Sequence, residues 1–255
     1  MSSYHQLLNN LETLELQHMK ELFPTHLERS IHQELSLTDS LLDLTDKEIE
    51  YRKKRLIERR MKKANFPYRK GVKDFDFDLQ PKLKKAEVMD CSTLRFMDTH
   101  DNLLFIGNSR VGKTHLATAI GIEASKRENS VYFILSNELI EKLDRAHKRG
   151  TLEAALKRYS RYDLLIIDEI GYLPMTKNGA NLFFQLINLR YEKKSTILTS
   201  NIPLSQWTDV FQDKKLTNAI IDRLIHHSKI LSINGKSYRM KDYMEIKGPK
   251  TYIFI

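Results

Sequence analysis

Gly107-Asn108-Ser109-Arg110-Val111-Gly112-Lys113-Thr114 decides how this chain folds. The apolar run Asn102–Ile106 precedes it, and an amphipathic pattern over residues 113–127 follows. The eight residues fit G-x-x-x-x-G-K-[ST]. That pattern is short, and its weight comes from its place between a strand and a helix. A loop there turns backbone N–H groups and a helix N-terminus toward one point, which makes an anion site. Gly107 and Gly112 permit the turn and a close backbone approach. Lys113 has the reach for the β- and γ-phosphates of a nucleotide. Thr114 offers a hydroxyl suited to Mg²⁺.

Downstream, Leu164-Leu165-Ile166-Ile167-Asp168-Glu169 reads as a buried strand with two acids at its C-terminal end. Ligands of open parallel sheets sit at that end. Asp168 fits the carboxylate that holds Mg²⁺, and Glu169 the base that orients or deprotonates an attacking water. An acid pair ending a strand is often only a solvated turn; the phosphate loop upstream argues otherwise. Thr199-Ser200-Asn201 ends a further strand, where Asn201 is placed to position the water. Strands at 102–106, 131–135, 163–167, 196–199 and 229–233 alternate with helices, which predicts a parallel sheet covered on both faces. One strand lies between the loop strand and the acid strand in sequence. That order, with the later polar strand end, suggests an additional-strand NTPase with a catalytic glutamate.

Upstream the pattern is helical. Residues 1–66 read as a small helical domain, broken at Phe23-Pro24 and again by a turn and cap over 37–46. Residues 67–100 read as a connector and 101–255 as the α/β domain. The alternation Asp74-Phe75-Asp76-Phe77-Asp78 predicts an extended strand laid across another domain. Charge is segregated: residues 34–50 hold six acids against Lys47, and residues 52–63 hold eight bases against Glu58. A solvated helix is one reading of the basic run. Its density favours phosphate contact through Arg52, Lys53, Arg55 and Arg59. A second basic feature comprises Lys142, Arg145, Lys148 and Arg149, of which Lys142, Arg145 and Arg149 share a helix face by spacing. No base-reading pattern is visible in it, so contacts would be to phosphates, salt-sensitive and largely independent of sequence.

Composition narrows the class. Forty-two Lys and Arg against 33 Asp and Glu leave a formal charge of +9 over 255 residues, which favours a polyanionic partner. Hydrophobic residues make up 41%, enough for a core and against wholesale disorder. Cys91 is the only cysteine, so an internal disulfide and a cysteine zinc site are excluded. No apolar run approaches the ~18–20 residues of a membrane span, and the first residues lack signal-peptide character. A soluble, cytoplasmic protein is the expectation.

The chain resembles the AAA+ ATPases, and within them the IstB-like transposition helpers, neighbours of the DnaC helicase loaders and DnaA initiators. Residues 107–114 followed by His115-Leu116-Ala117 carry the likeness, with the stretch 163–174 ending Asp-Glu-Ile-Gly-Tyr-Leu-Pro. Arg190-Tyr191-Glu192, Thr199-Ser200-Asn201, Ile221-Asp222-Arg223-Leu224 and Ser237-Tyr238-Arg239 add to it. The resemblance implies an α/β AAA+ P-loop NTPase, a three-layer sandwich with a parallel sheet, preceded by a small all-α N-terminal domain. It implies ATP and Mg²⁺ as cofactors, held by Gly107 through His115 and Asp168. It implies a homo-oligomer, ring or helical filament, on double-stranded DNA, with a transposase as partner. ATP would lie between subunits, with Arg223 matching the arginine a neighbour supplies. Arg190 would be a second such contact, and Arg239 a sensing arginine. Such loops usually carry small residues where this chain has Asn108-Ser109-Arg110; Arg110 adds a charge there. Two other functions compete: a helicase loader on the same core, and a kinase-like NTPase acting on a small acceptor. Arg223 in its motif argues against the latter.

Overall fold

The computed structural model describes residues 2–235. The backbone forms two compact units that divide between Arg59 and Arg60.

The first unit is helical: α1 (Ser3–Thr13), α2 (Gln17–His32) and α3 (Leu37–Lys63), the last continuing past the division. Its core is thin, with Leu11, Met19 and Leu44 buried and Leu16, Leu22 and Phe23 packed against them. Pro24 does not break the chain; it lies inside α2. Met19, Leu22, Phe23 and His26 recur at helical spacing on both sides of it, and buried Met19 and His26 hold the helix together across the lost hydrogen bond. The expected turn at 37–46 is also absent. Ser36 caps α3 by accepting the Asp39 N–H at 3.1 Å, and the Thr45 hydroxyl turns back onto Leu41 O at 2.8 Å within the helix. Glu48, buried, accepts the Met19 N–H at 2.8 Å and so satisfies one free donor at the start of α2.

In the second unit, residues 60–100 group with the sheet rather than standing apart from it. Ala64 O accepts the Phe133 N–H at 2.8 Å and Asn65 Nδ2 donates to Phe133 O at 3.0 Å, which covers an edge of the sheet. The alternating segment 74–78 forms no strand. A 3₁₀ turn, Val72–Asp74, closes when the Asp74 carboxylate takes the Gly71 N–H at 2.7 Å. This turns Phe75 into the core, where it joins Leu83, Val88, Cys91 and Leu94. Two short helices follow, α4 (Lys85–Ser92) and α5 (Arg95–Asp98).

Five strands make one parallel sheet: β1 (Asn102–Ile106), β2 (Val131–Leu135), β3 (Leu164–Ile170), β4 (Ser195–Ser200) and β5 (Ser228–Ser232), in the order β2-β3-β4-β1-β5. Alternation of period two sorts the strand residues. Leu103, Phe105, Phe133, Ile166, Ile197 and Leu231 face α6 (Lys113–Lys126) and the connector. Leu104, Ile134, Leu165, Ile167 and Leu198 face the other layer. That layer comprises α7 (Ser136–Lys148), α8 (Leu152–Ser160), α9 (Lys177–Arg190), α10 (Trp207–Phe211) and α11 (Lys214–Ile225). The result is three layers. Because β4 inserts between β1 and β3, the loop after β1, the acids of β3 and the polar end of β4 come side by side.

Candidate functional site

The phosphate loop starts where β1 ends. Gly107 has φ +157°, and a Cβ there would lie 2.0 Å from Ile233 O, so only glycine fits the turn. Gly112 is the N-cap of α6 with φ +99°, in the left-handed region. Arg110 also takes a left-handed φ, +66°, and is exposed with Asn108 and Ser109, whereas Val111 is buried as the loop's apolar anchor. Lys113 is buried, and its ammonium donates to Gly107 O at 2.7 Å and Asn108 O at 2.6 Å. Burial pulls the Lys113 pKa down, and Asp168 and Glu169 pull it back up.

Asp168 is the centre of the constellation. It is 1% exposed, and two threonine hydroxyls donate to it: Thr114 from α6 at 2.9 Å and Thr199 from β4 at 2.5 Å. Burial pushes the carboxyl above its ordinary value; the Thr199 and Thr114 hydroxyls oppose this. A hydroxyl and a buried carboxylate in contact are hard oxygen donors, the set that Mg²⁺ takes. The β3–β4 register slips between Ile167 and Ile170. This bulge gives Glu169 a φ of +64° and leaves it exposed, with its N–H donated to Thr199 Oγ1 at 2.9 Å. Bulges re-aim side chains beside active sites, and a glutamate at positive φ holds its conformation only where the surroundings impose it. The Asn201 Oδ1 atom is buried with no hydrogen-bond donor among the described residues.

Thr199 was not among the site residues that the sequence analysis named, although its strand end was. It binds both acids of β3, and the signal was the run of polar residues closing an otherwise apolar strand. The Tyr68 phenol is pushed up to about 12 by burial and by Asp168. His115, expected among the nucleotide-binding residues, turns instead to the connector: its Nε2 pairs with Gly71 O at 2.9 Å and its ring packs 5.5 Å from that of Phe75.

The family model described as IstB-like ATP binding protein matches residues 9–245. The chain belongs to this family. It is 50% identical over 242 residues to a protein of insertion sequence IS232 from Bacillus thuringiensis subsp. berliner, covering 95% of this chain and 97% of that one. It is 40% identical over 238 residues to a protein of insertion sequence IS21 from Pseudomonas aeruginosa, with 93% and 90% covered. Both relatives are named for ATP binding. Among solved structures, DnaA from Aquifex aeolicus bound to AMPPCP matches with a TM-score of 0.57 at 21% identity, over 74% of this chain and 58% of that one. The DnaC helicase loader matches at 0.51 and 25%, over 58% and 86%. The AAA+ fold expected from the motifs is thus the fold observed.

In this IstB-like chain Arg223 stands on α11 and is held against α9. Its Nε donates to Asn188 Oδ1 at 2.8 Å and its guanidinium lies 4.8 Å above the Phe184 ring. Arg190 corrects the sequence reading. It is 1% exposed, at the end of the sheet opposite the phosphate loop. Its Nη1 donates to Tyr162 O at 2.8 Å, Tyr159 O at 3.0 Å and Ser160 O at 3.3 Å, its Nε to Thr196 Oγ1 at 3.0 Å, and its Nη2 to Ser195 O. A guanidinium sealed among four carbonyls and a hydroxyl has no reach to a nucleotide, its own or a neighbour's. Burial lowers its pKa to about 9. Arg239 lies outside the described residues.

The basic residues of α7 are more neutralised than their spacing suggested. Lys142 pairs with Glu138 at 2.6 Å and Lys148 with Asp144 at 2.6 Å, both four residues apart. Arg145 and Arg149 have no ion pair among the described residues. In α3, Arg52 is bound to Glu48 at 2.7 Å and Glu15 O at 2.6 Å, and Arg55 lies 5.6 Å over the Tyr51 ring. Lys53 and Arg59 stand exposed without an ion pair among the described residues. No described helix is long and apolar enough to cross a membrane.

Proposed function

We propose that this protein binds and hydrolyses ATP and uses the cycle to regulate transposition on duplex DNA. One observation carries the reading: the Thr114 and Thr199 hydroxyls converge on buried Asp168 at the mouth of the 107–114 loop. The loop N–H groups and the N-terminus of α6 bind the phosphates. Lys113 exchanges its two carbonyl partners for phosphate oxygens. Thr114 and Asp168 hold Mg²⁺, which when bound neutralises charge on the β- and γ-phosphates. Glu169 takes the proton of the attacking water, and Asn201 Oδ1, an acceptor in want of a donor, orients that water. Rate enhancement comes from positioning and charge stabilisation.

Arg223 completes the site of a neighbouring subunit in a homo-oligomer, ring or filament, assembled on duplex DNA. Arg145, Arg149, Lys53 and Arg59 supply phosphate contacts, and the assembly recruits or activates a transposase. The insertion-sequence names of the relatives support this reading over a helicase loader, which the likeness to DnaC alone supports. The test is ATP turnover of Arg223→Ala and Glu169→Gln, each alone and mixed. Each alone should lose turnover while retaining ATP binding, and the mixture should recover part of it, because one mixed interface joins an intact Glu169 to an intact Arg223. No recovery despite co-assembly would place Arg223 outside the neighbour's site. Capture of a replicative helicase and not of a transposase would replace regulation of transposition with helicase loading.

A further inference from the structure

Arg190 is sealed in the fold, but the next two residues of its motif, Tyr191 and Glu192, reach the surface and meet a pair of histidines, His226 and His227. In sequence that pair has no partner at a metal-ligand spacing; the sheet order supplies one. Strands β4, β1 and β5 are neighbours. Glu192 lies in the turn that enters β4, Asp101 immediately precedes β1, and His226 and His227 lead from α11 into β5. Three strand entries thus place two imidazoles and two carboxylates at one corner of the sheet.

The backbone at this corner is well held. The Lys193 and Lys194 N–H groups both donate to Arg190 O at 3.0 Å, and Glu192 takes φ +57° in the turn they close. His226 caps α11, its N–H on Asp222 O at 3.0 Å, and His227 O accepts the Asn102 N–H at 2.8 Å. One ligand atom from each of Glu192, His226 and His227 lies within 4.8 Å of the other two. Zn²⁺ bonds of about 2.0–2.1 Å in a tetrahedron put ligand atoms about 3.3 Å apart. All three side chains are exposed, so small rotations close that gap.

Each histidine also has an oxygen beside one ring nitrogen. Tyr191 Oη is 3.2 Å from His226 Nδ1. Asp101 Oδ1 is 3.9 Å from His227 Nδ1, on the far side of the ring from Glu192, whose Oε1 is 3.5 Å from His227 Nε2. Asp101 is itself steadied by the Thr99 hydroxyl at 2.7 Å. An imidazole that binds a metal through one nitrogen donates the N–H of the other to such an oxygen, which fixes the ring and raises its basicity.

We propose that Glu192, His226 and His227 bind one Zn²⁺ ion, with water in the fourth place and with Tyr191 and Asp101 as positioning residues. Two imidazoles select Zn²⁺ over Mg²⁺, which suits an oxygen-only set. The ion is distinct from the Mg²⁺ proposed at the phosphate loop, which lies at the opposite end of the sheet. It braces the entries of β4 and β5 and the end of α11, and no step of ATP hydrolysis passes through it.

The test is Zn²⁺ binding by the full-length protein without a histidine tag, read by competition with a chromophoric chelator in excess Mg²⁺. The only cysteine, Cys91, is buried with its thiol pushed up to about 11, and does not compete. The parent should bind one ion per chain. His226→Gln with His227→Gln should weaken binding by ~100-fold or more, and Tyr191→Phe and Asp101→Asn each by ~10–100-fold. His5→Gln with His32→Gln, exposed histidines of the first unit, should change nothing. Zn²⁺ should also raise the thermal unfolding midpoint of the parent and leave that of the His226→Gln, His227→Gln variant where it is. Circular dichroism checks that each variant is folded. No Zn²⁺ bound by the parent, or parent affinity in the His226→Gln, His227→Gln variant, overturns the site. Parent affinity in both Tyr191→Phe and Asp101→Asn overturns their positioning role.

Discussion

The two ends of the sheet bury charge in opposite ways. At the N-terminal end of the strands, Arg190 is sealed and its donors go to carbonyls and one hydroxyl. Asn102 there behaves alike, its Oδ1 taking the Thr196 N–H at 2.9 Å and its Nδ2 reaching Leu224 O. At the C-terminal end, Lys113, Asp168 and the Asn201 Oδ1 atom are also withdrawn from water, yet they are less evenly partnered. Lys113 leans on loop carbonyls, Asp168 is pushed above its ordinary value by burial, and Asn201 Oδ1 has no donor among the described residues. A satisfied buried charge joins elements together; a poorly satisfied one is held ready for something else to complete it.

Removing the satisfied charge should cost the most stability. Arg190→Ala is expected to lose on the order of 3–5 kcal/mol, because the carbonyls it binds stay buried without donors. Denaturant unfolding measures this, and nucleotide affinity of the folded fraction should be unchanged. A loss of under ~1 kcal/mol would mean that the sealed end is no more structural than an ordinary surface site.

The next effect falls on the other end and on rate. Glu169→Gln should keep ATP binding and lower turnover by ~10²–10³, the scale of losing a general base. Steady-state hydrolysis and nucleotide titration separate the two. A variant that turns over like the parent would remove Glu169 from the chemistry.

Thr199→Val sharpens the comparison more gently. It deletes a hydroxyl that joins Asp168 and the Glu169 N–H, and should cost about 1 kcal/mol in stability. It should also raise the Asp168 pKa further, since that hydroxyl holds it down. Infrared or NMR titration of the carboxyl reads the shift.

Asp168→Asn should give the smallest change in stability, and a favourable one. A carboxyl raised above its ordinary 3.8 on folding favours the folded state fully only below that value. The contribution fades as pH rises through the higher folded-state pKa, so at neutral pH the ionised group opposes folding. Asparagine does not ionise, and without nucleotide the variant should equal or exceed the parent in stability at pH 7. Unfolding at pH 4 and 7 checks the sign. A clear loss at pH 7 would show that the ionised carboxyl stabilises the fold.

What was legible locally follows from local physics. The 107–114 loop needs glycine where a Cβ would strike Ile233 O, and Asp168 and Glu169 close an apolar strand; both statements survive reading along the chain. The alternation of strand and helix was enough for the parallel sheet, because a fully buried strand is a short apolar run with helices on either side. The helix through Pro24 and the unbroken start of α3 were not legible, since packing against Leu44 and Glu48 overrides a weak local signal. His115 likewise looked like part of the loop, and only packing against Phe75 and Gly71 shows its side chain turned away.

The sequence by itself determined which residues are candidates for the proposed chemistry, because phosphate, Mg²⁺ and water activation each demand a residue type at a fixed offset from a strand or helix end. Only the tertiary structure decided which charges are available for it. Arg190 and Arg223 look alike in a one-dimensional string, yet four carbonyls and a hydroxyl enclose the first, while a ring and an amide hold the second at the surface. The difference is desolvation: whether a cation stays free depends on what folds around it, and that depends on residues far away in the chain.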